Sequence, residues 1–266
     1  MNIKKITPQS SIEILLAVME QLRDKESGCE WDKQQDLSSL TPFVIEEAYE
    51  VVDAIRRKDD LDLKQELGDL LFQVVFLSEI AKEKGVFEFK DVVTSLSKKL
   101  KDRHPYVFKE PKKHSAKEQI VNWELIKNKE RKAKELKSLM DNIPIALPAL
   151  MRSKKIQQRA SQVGFDWKKN EDYFKKIDEE IHELKGAVAS NNKKNIEEEI
   201  GDIFMILVNF ASKFDIDSES ALNKGNLKFK KRFNFIEQEL KKRNKSIYDS
   251  TIEEMDSLWN KSKDKN

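Results

Sequence analysis

The sequence predicts an all-α fold built from two tandem helical-bundle domains. Gly and Pro are scarce, with 7 and 6 copies in 266 residues, as long uninterrupted helices require. No segment alternates apolar and polar residues for long enough to indicate a sheet. The pattern E-E-x-x-E, followed at a fixed distance by E-x-G-D and an apolar run, occurs twice. Such an internal repeat indicates two copies of one structural unit.

The first half of the chain shows helical periodicity interrupted by recognisable start and stop residues. Ser10 or Ser11 is a suitable N-cap for the first helix. Thr41-Pro42 opens the first acid-bearing helix, since proline is favoured in a first turn, and Gly85 ends the second. The predicted elements are a helix at 10–25, a loop at 28–35, acid-bearing helices at 41–57 and 61–84 around a turn at 58–60, and a helix at 89–103.

The second half repeats this plan after a segment rich in lysine and glutamate. We predict that residues 113–140 form a helical, charged linker between domains at 1–112 and 141–266. The predicted elements of the second domain are a helix at 148–162, acid-bearing helices at 171–190 and 194–213, a basic helix from 218, and an amphipathic segment around 255–259.

Composition restricts the class of protein and its partners. The chain carries 50 Lys+Arg against 48 Asp+Glu, a balance that does not favour binding to a nucleic acid polymer. Its single cysteine, Cys29, fits a reducing compartment, and no apolar run approaches the length of a membrane span. We therefore expect a soluble cytoplasmic protein.

The repeated acidic residues are candidate metal ligands, because residues three apart share one face of a helix. Two carboxylates about 4 Å apart repel by roughly 4 kcal/mol at an effective dielectric near 20, so a convergent group requires a cation. Oxygen-only sites suit Mg²⁺, with Mn²⁺ as a substitute. Single acidic pairs are usually solvated surface, but repetition of the whole pattern favours a built site. The candidates are Glu180, Glu183, Glu199 and Asp202, and, for a second possible site, Glu47, Glu50, Glu66 and Asp69.

Other residues suggest a phosphate-bearing substrate. Lys228 and Arg232 are neighbours on the basic helix, and a lysine and an arginine together suit phosphate oxygens. Trp259 is a candidate platform for a base, although an aromatic of this kind is more often a core residue. Gly68 and Gly201 each follow the first acid of an E-x-G-D motif, and we expect them to permit close helix approach.

At these residues the sequence resembles the MazG family of nucleoside triphosphate pyrophosphohydrolases in its two-domain form. The resemblance covers nearly the whole chain. The matching motifs of the first half are C-x-W-D-x-x-Q at 29–35, L-T-P-x-x-x-E-E-A-Y-E at 40–50, E-L-G-D-L-L-F at 66–72 and R-H-P-x-V-F at 103–108. Those of the second half are Q-R-A-x-x-V-G-F-D-W at 158–167, E-E-x-x-E at 179–183, E-x-G-D at 199–202, K-F-x-x-R-F at 228–233 and M-D-x-L-W at 255–259.

The resemblance implies two MazG-like helical bundles, a homodimer, and Mg²⁺-dependent cleavage between the α and β phosphates. For the reaction itself, we expect Glu179 or Glu180 to take a proton from the attacking water, a choice that depends on geometry. The second half is usually credited with activity. In the first half, Glu30 stands where the family usually has proline, and Asp36-Leu37 replaces a Thr-His pair. The implied substrate contacts are Lys176, Glu179, Lys228, Arg232 and Trp259, and the implied metal ligands are the four second-half acids.

Two alternatives remain open at this stage. A catalytically silent module would bind nucleotide and metal for regulation without turnover. A di-metal carboxylate oxidoreductase would need two E-x-x-H motifs. The sequence offers one, from Glu179 to His182, and has Tyr49 at the matching position of the first half.

Overall fold

In the computed structural model, the described residues are 11–108, 138–263 and eight positions between these ranges: 115, 118, 119, 122, 123, 125, 126 and 130. The chain divides into two compact units, Met1–Lys129 and Glu130–Asn266. This division falls inside the predicted linker, whose own limits stay predictions. Ser10 and most of that linker lie outside the described residues. Across the described ranges the regular structure is helical, without a strand, and no helix has the length and apolarity needed to cross a membrane.

Unit 1 is built around an antiparallel helix pair that carries the first acidic repeat. Its helices are α1 (Ser11–Leu22), α2 (Glu30–Gln34), α3 (Thr41–Arg57), α4 (Asp60–Glu83), α5 (Phe89–Arg103) and α6 (Pro105–Phe108). The prediction of a loop at 28–35 is wrong over Glu30–Gln34, which forms one helical turn and a half. Helices this short lack the apolar periodicity on which sequence prediction depends.

The α3–α4 turn brings the two acid-bearing helices of unit 1 side by side. Lys58 ends α3 in the left-handed conformation, with φ of 58°, and Asp59 caps α4 by accepting from the Asp62 backbone N–H. The core of the unit lies where α1 crosses α4 and includes Met19 and Phe76, both fully buried. Burial of such side chains is worth about 1.5–3 kcal/mol each.

Unit 2 has the same hairpin and a longer C-terminal part. Its helices are α7 (Ala149–Ser161), α8 (Asn170–Ala189), α9 (Lys193–Lys213), α10 (Ser218–Lys242) and α11 (Ile252–Lys263), with a 3₁₀ turn at Ile247–Asp249. At the α8–α9 turn, Asn191 is left-handed and Asn192 caps α9 by accepting from the Asn195 N–H. The hairpin therefore holds the second acidic repeat as α3 and α4 hold the first.

Candidate functional site

The acids of unit 2 converge across the α8–α9 hairpin. Glu180 comes from α8, and Glu199 and Asp202 come from α9. Each offers a carboxylate oxygen, and the three oxygens lie within 4.8 Å of one another. We call these three residues the unit 2 acid cluster. Glu183 is outside this set but close enough to act on it. Burial raises the pKa of Glu199, and repulsion from Glu183 and interaction with Glu180 raise it further.

Lys176 lies one helical turn before Glu180 and bonds to two neighbouring carboxylates. Its Nζ is 2.7 Å from Glu180 and 2.8 Å from Glu179. These bonds raise the pKa of Lys176 above its ordinary value. The Glu180 side chain is only 5% exposed, whereas that of Glu179 is 55% exposed. The lysine therefore holds one buried acid of the cluster and one acid at the surface.

A cavity of about 790 Å³ opens beside the unit 2 acid cluster. A volume of this size is typical of small-molecule sites. Its walls combine apolar and aromatic side chains with a few polar groups. Asp166 organises one wall: it accepts hydrogen bonds from the Tyr173 hydroxyl at 2.9 Å and from the Trp167 backbone N–H at 2.8 Å. The lining includes Leu139, Met140, Ile156, Gln157, Phe165, Asp166, Trp167, Lys176, Glu180, Asp202, Met205 and Asn209.

The other predicted substrate residues lie on α10 and α11, outside the lining of this cavity. Lys228 is exposed on α10. The Arg232 guanidinium lies over the Trp259 ring, 5.4 Å from its centroid, and its buried Nε has no hydrogen-bond partner among the described residues. Trp259 packs against the core cluster that contains Leu240 and Leu258. Their roles in substrate binding stay predictions, and Trp259 is also a packing residue.

Unit 1 contains a second convergent group with different surroundings. Glu47, Glu66 and Asp69 bring carboxylate oxygens within 4.8 Å of one another, and we call them the unit 1 acid cluster. Burial raises the pKa of Glu47, and repulsion from Asp69 and Glu50 adds to the effect. Burial also raises the pKa of Glu66, and Glu50 is the largest source of repulsion that raises it further. Both clusters thus present more negative charge than their surroundings favour.

Two expectations about nearby residues are affected by the structure. A Cβ placed on Gly68 or Gly201 would meet nothing within 4 Å, so the expected close helix approach at these glycines is wrong within each unit. His182 is exposed and belongs to neither acid cluster, which removes the support for the oxidoreductase alternative.

Sequence reasoning did not find the residues that shape the cavity. Gln157 and Asn209 reach it from α7 and α9, and Phe165 from the segment before α8. The signal available was Asn209, which lies two helical turns after Asp202 and therefore shares its helix face. The positions of Gln157 and Phe165 depend on tertiary packing and carry no comparable periodicity.

Two helical hairpins, each carrying a carboxylate cluster, define an all-α protein with two possible metal sites. The model of the MazG nucleotide pyrophosphohydrolase domain matches residues 35–108 and 168–235. The chain belongs to this family.

Named relatives match almost the full length of the chain. A nucleoside triphosphate pyrophosphohydrolase of Escherichia coli (strain K12) is 42% identical over 254 residues, covering 94% of this chain and 96% of the relative. The nucleoside triphosphate pyrophosphohydrolase/pyrophosphatase MazG of Thermotoga maritima is 43% identical over 251 residues, covering 94% and 95%. The crystal structure of a mazG-related protein from Thermotoga maritima covers 44% of this chain and 98% of its own, with a TM-score of 0.39 and 24% identity.

Proposed function

We propose that this protein hydrolyses nucleoside triphosphates to nucleoside monophosphate and pyrophosphate, with Mg²⁺ as the metal. The observation that carries this proposal is the unit 2 acid cluster at the edge of a large cavity, in a chain of the MazG family. Such a site provides oxygen ligands for a cation, a lysine for phosphate, and an apolar chamber for the rest of the substrate. The relatives named as nucleoside triphosphate pyrophosphohydrolases support the same assignment.

The residues of unit 2 fit a hard divalent cation. Glu180, Glu199 and Asp202 supply carboxylate oxygens only, the donor type that Mg²⁺ and Mn²⁺ prefer. Glu183, whose charge acts on Glu199, is proposed as a fourth ligand. Burial raises the pKa of Glu199, and repulsion from Glu183 and interaction with Glu180 raise it further; a bound cation would stabilise the ionised carboxylate against these effects. When bound, Mg²⁺ would neutralise phosphate charge and acidify a coordinated water.

The neighbouring side chains suit binding and proton transfer. Lys176 is positioned to exchange a carboxylate partner for a phosphate oxygen. Glu179, exposed and paired with Lys176, is a candidate to take a proton from the attacking water, and Glu180 is the other candidate. Lys228 and Arg232 are proposed to contact phosphate and sugar, and Trp259 the base, on the strength of the family motifs that contain them.

We also propose that the protein acts as a homodimer. The outer face of each acid-bearing hairpin exposes large apolar side chains around its glycine. Contiguous exposed apolar surface of this kind usually marks an interface. A second copy packed on these faces would give Gly68 and Gly201 the close helix approach that one chain lacks. The exposed residues are Ile45, Val52, Ile55, Leu67 and Leu71 in unit 1, and Ile181, Val188, Ile200, Phe204 and Leu207 in unit 2.

The substrates of such an enzyme are small nucleotides, and we place it in the cytoplasm, where nucleotide pools are found. The near-neutral charge balance agrees with a nucleotide rather than a nucleic acid polymer as partner.

The proposed function is tested by product analysis with a panel of nucleoside triphosphates and Mg²⁺. Wild type is compared with Glu183→Gln and the matched Glu50→Gln, and monophosphate is measured chromatographically so that any further breakdown of pyrophosphate does not hide turnover. We expect monophosphate from wild type and Glu50→Gln and none from Glu183→Gln. Loss only in Glu50→Gln would move the active site to unit 1. EDTA-sensitive nucleotide binding without monophosphate would refute the enzyme assignment.

A further inference from the structure

The cavity beside the unit 2 acid cluster is lined by one face of α9 that is charged at one end and neutral at the other. Asp202, Met205 and Asn209 all belong to this lining. Residues seven apart share a helix face, and at about 1.5 Å of rise per residue Asn209 lies roughly 10 Å beyond Asp202. The lining residues between them, Met205 and Ile206, are apolar. A ligand with charge at one end and a polar, uncharged group at the other fits this arrangement.

The Asn209 side chain has a defined orientation. Its Nδ2 donates a hydrogen bond of 3.4 Å to Oδ1 of Asp166, which also lines the cavity. Asp166 is itself held in place, because the same oxygen accepts from the Tyr173 hydroxyl at 2.9 Å and from the Trp167 N–H at 2.8 Å. An ionised carboxylate only accepts hydrogen bonds, so an amide oxygen turned toward Asp166 would be repelled. The amide therefore keeps Nδ2 toward Asp166 and Oδ1 away from it.

Gln157, the other carboxamide of the lining, is already committed within the protein. Its Nε2 donates to the Met205 carbonyl at 2.7 Å and to the Ser153 hydroxyl at 2.9 Å, and its Oε1 is buried. The Asn209 amide makes one hydrogen bond among the described residues, so its oxygen stays available to a ligand. The matching position of unit 1 is Phe76, which is fully buried and has no polar atom.

We propose that Asn209 determines base specificity and favours a base edge that carries an exocyclic amino group, as in adenine and cytosine. In the proposed function, on which this inference rests, the phosphates lie at the acid cluster and the base lies toward Asn209. The Asn209 oxygen and the Asp166 carboxylate make this end of the cavity rich in acceptors, which suits an amino donor. Hypoxanthine and uracil carry an oxygen in its place, and that oxygen would face these acceptors. Stacking, as proposed for Trp259, acts on the face of the base and tolerates every base.

Binding of nucleotides that cannot be cleaved between the α and β phosphates tests this proposal. The ligands are the α,β-methylene analogues of adenosine, inosine, cytidine and uridine triphosphate, titrated calorimetrically with Mg²⁺ into the full chain. Within each pair, adenosine with inosine and cytidine with uridine, an amino group is exchanged for an oxygen. Wild type is compared with Asn209→Leu and with Gln157→Leu, the matched control. Circular dichroism confirms that each variant is folded.

We expect wild type and Gln157→Leu to bind the amino-bearing analogue of each pair about tenfold more tightly, within the range of one specific base contact. In Asn209→Leu this ratio should fall close to one. No preference in wild type, an unchanged preference in Asn209→Leu, an equal loss in Gln157→Leu, or failure to bind any of the four analogues would each overturn the proposal.

Monophosphate release, measured separately on cleavable nucleotides, distinguishes this proposal from the proposed function. Turnover without a base preference in binding would reject the role of Asn209 and leave hydrolysis standing. A preference that depends on Asn209, in a protein that releases no monophosphate, would support the role of Asn209 and reject hydrolysis.

Discussion

The ion pair between Lys176 and Glu180 should contribute measurably to the stability of unit 2. The charged atoms are 2.7 Å apart, and the side chains are 33% and 5% exposed, respectively. Two unit charges at this distance attract by roughly 6 kcal/mol at an effective dielectric of 20. Desolvation of the carboxylate, solvent screening of the lysine and lost rotamer freedom reduce this gross value. Since hydrogen bonds to charged groups contribute about 1.5–3 kcal/mol net, we expect a coupling energy of about 2 kcal/mol.

A double-mutant cycle with Lys176→Met and Glu180→Gln measures this coupling energy. Hydrogen exchange of α8 amides, measured in EDTA at about pH 7.5, reports the stability of unit 2 separately from that of unit 1. The separation is needed because a chain of two units need not unfold in one step. The control cycle uses Lys194 and Glu198, which are 3.8 Å apart with both side chains exposed, and should give less than about 0.5 kcal/mol. Equal coupling energies in the two cycles would refute the reasoning.

The pH dependence of this coupling has a definite sign. Its two carboxylate partners raise the pKa of Lys176. A raised lysine pKa gives stability that is fully present below the unfolded value of about 10.4 and is lost as the pH rises through the folded value. The coupling energy should therefore stay constant from neutral pH to about pH 10 and decline at more alkaline pH.

Three further outcomes are expected. Tyr173→Phe should destabilise unit 2 by about 1 kcal/mol in urea unfolding, because Asp166 loses the hydrogen bond that the Tyr173 hydroxyl donates to it. Burial and Asp166 raise the pKa of Tyr173 to about 12. Wild type should therefore lose stability between about pH 10 and 12, and the variant should lose less over the same range. Parallel curves of unfolding free energy against pH for the two proteins would contradict this expectation. Lys58→Asn should stabilise unit 1 by about 0.5–1 kcal/mol, since asparagine tolerates the left-handed conformation better than lysine. For the same reason, Asn191→Lys should destabilise unit 2 by a similar amount. An unchanged urea midpoint in either variant would contradict this reasoning. Trp167→Leu should raise KM for nucleoside triphosphates about tenfold with little change in kcat, because Trp167 lines the cavity proposed to receive the substrate. An unchanged KM would contradict that placement of the substrate.

The helices that position the acids were predictable because local signals agreed with the tertiary structure. The predicted helix at 89–103 matches Phe89–Arg103, which begins at a Glu88–Asp91 capping box. The turns between the acid-bearing helices were also predictable, since the Asp or Asn cap at the start of the second helix leaves a local sequence signature. Spacing alone then placed Glu199 and Asp202 on one helix face.

The surroundings of the acids were not predictable in the same way. The Gly68 and Gly201 expectation failed because sequence does not show whether a small residue faces the same chain or open space. The cavity joins Leu139, Gln157 and Asn209, which are distant in sequence and meet only through packing.

The position of bond cleavage is tested most directly by mass spectrometry of products formed in water enriched in ¹⁸O. One nucleoside triphosphate is incubated with wild-type protein and Mg²⁺, and the nucleoside monophosphate and pyrophosphate are separated. If water attacks the α-phosphorus, we expect one ¹⁸O atom in the monophosphate and none in pyrophosphate. Label in pyrophosphate, or nucleoside diphosphate with labelled phosphate, would contradict hydrolysis at the α-phosphorus.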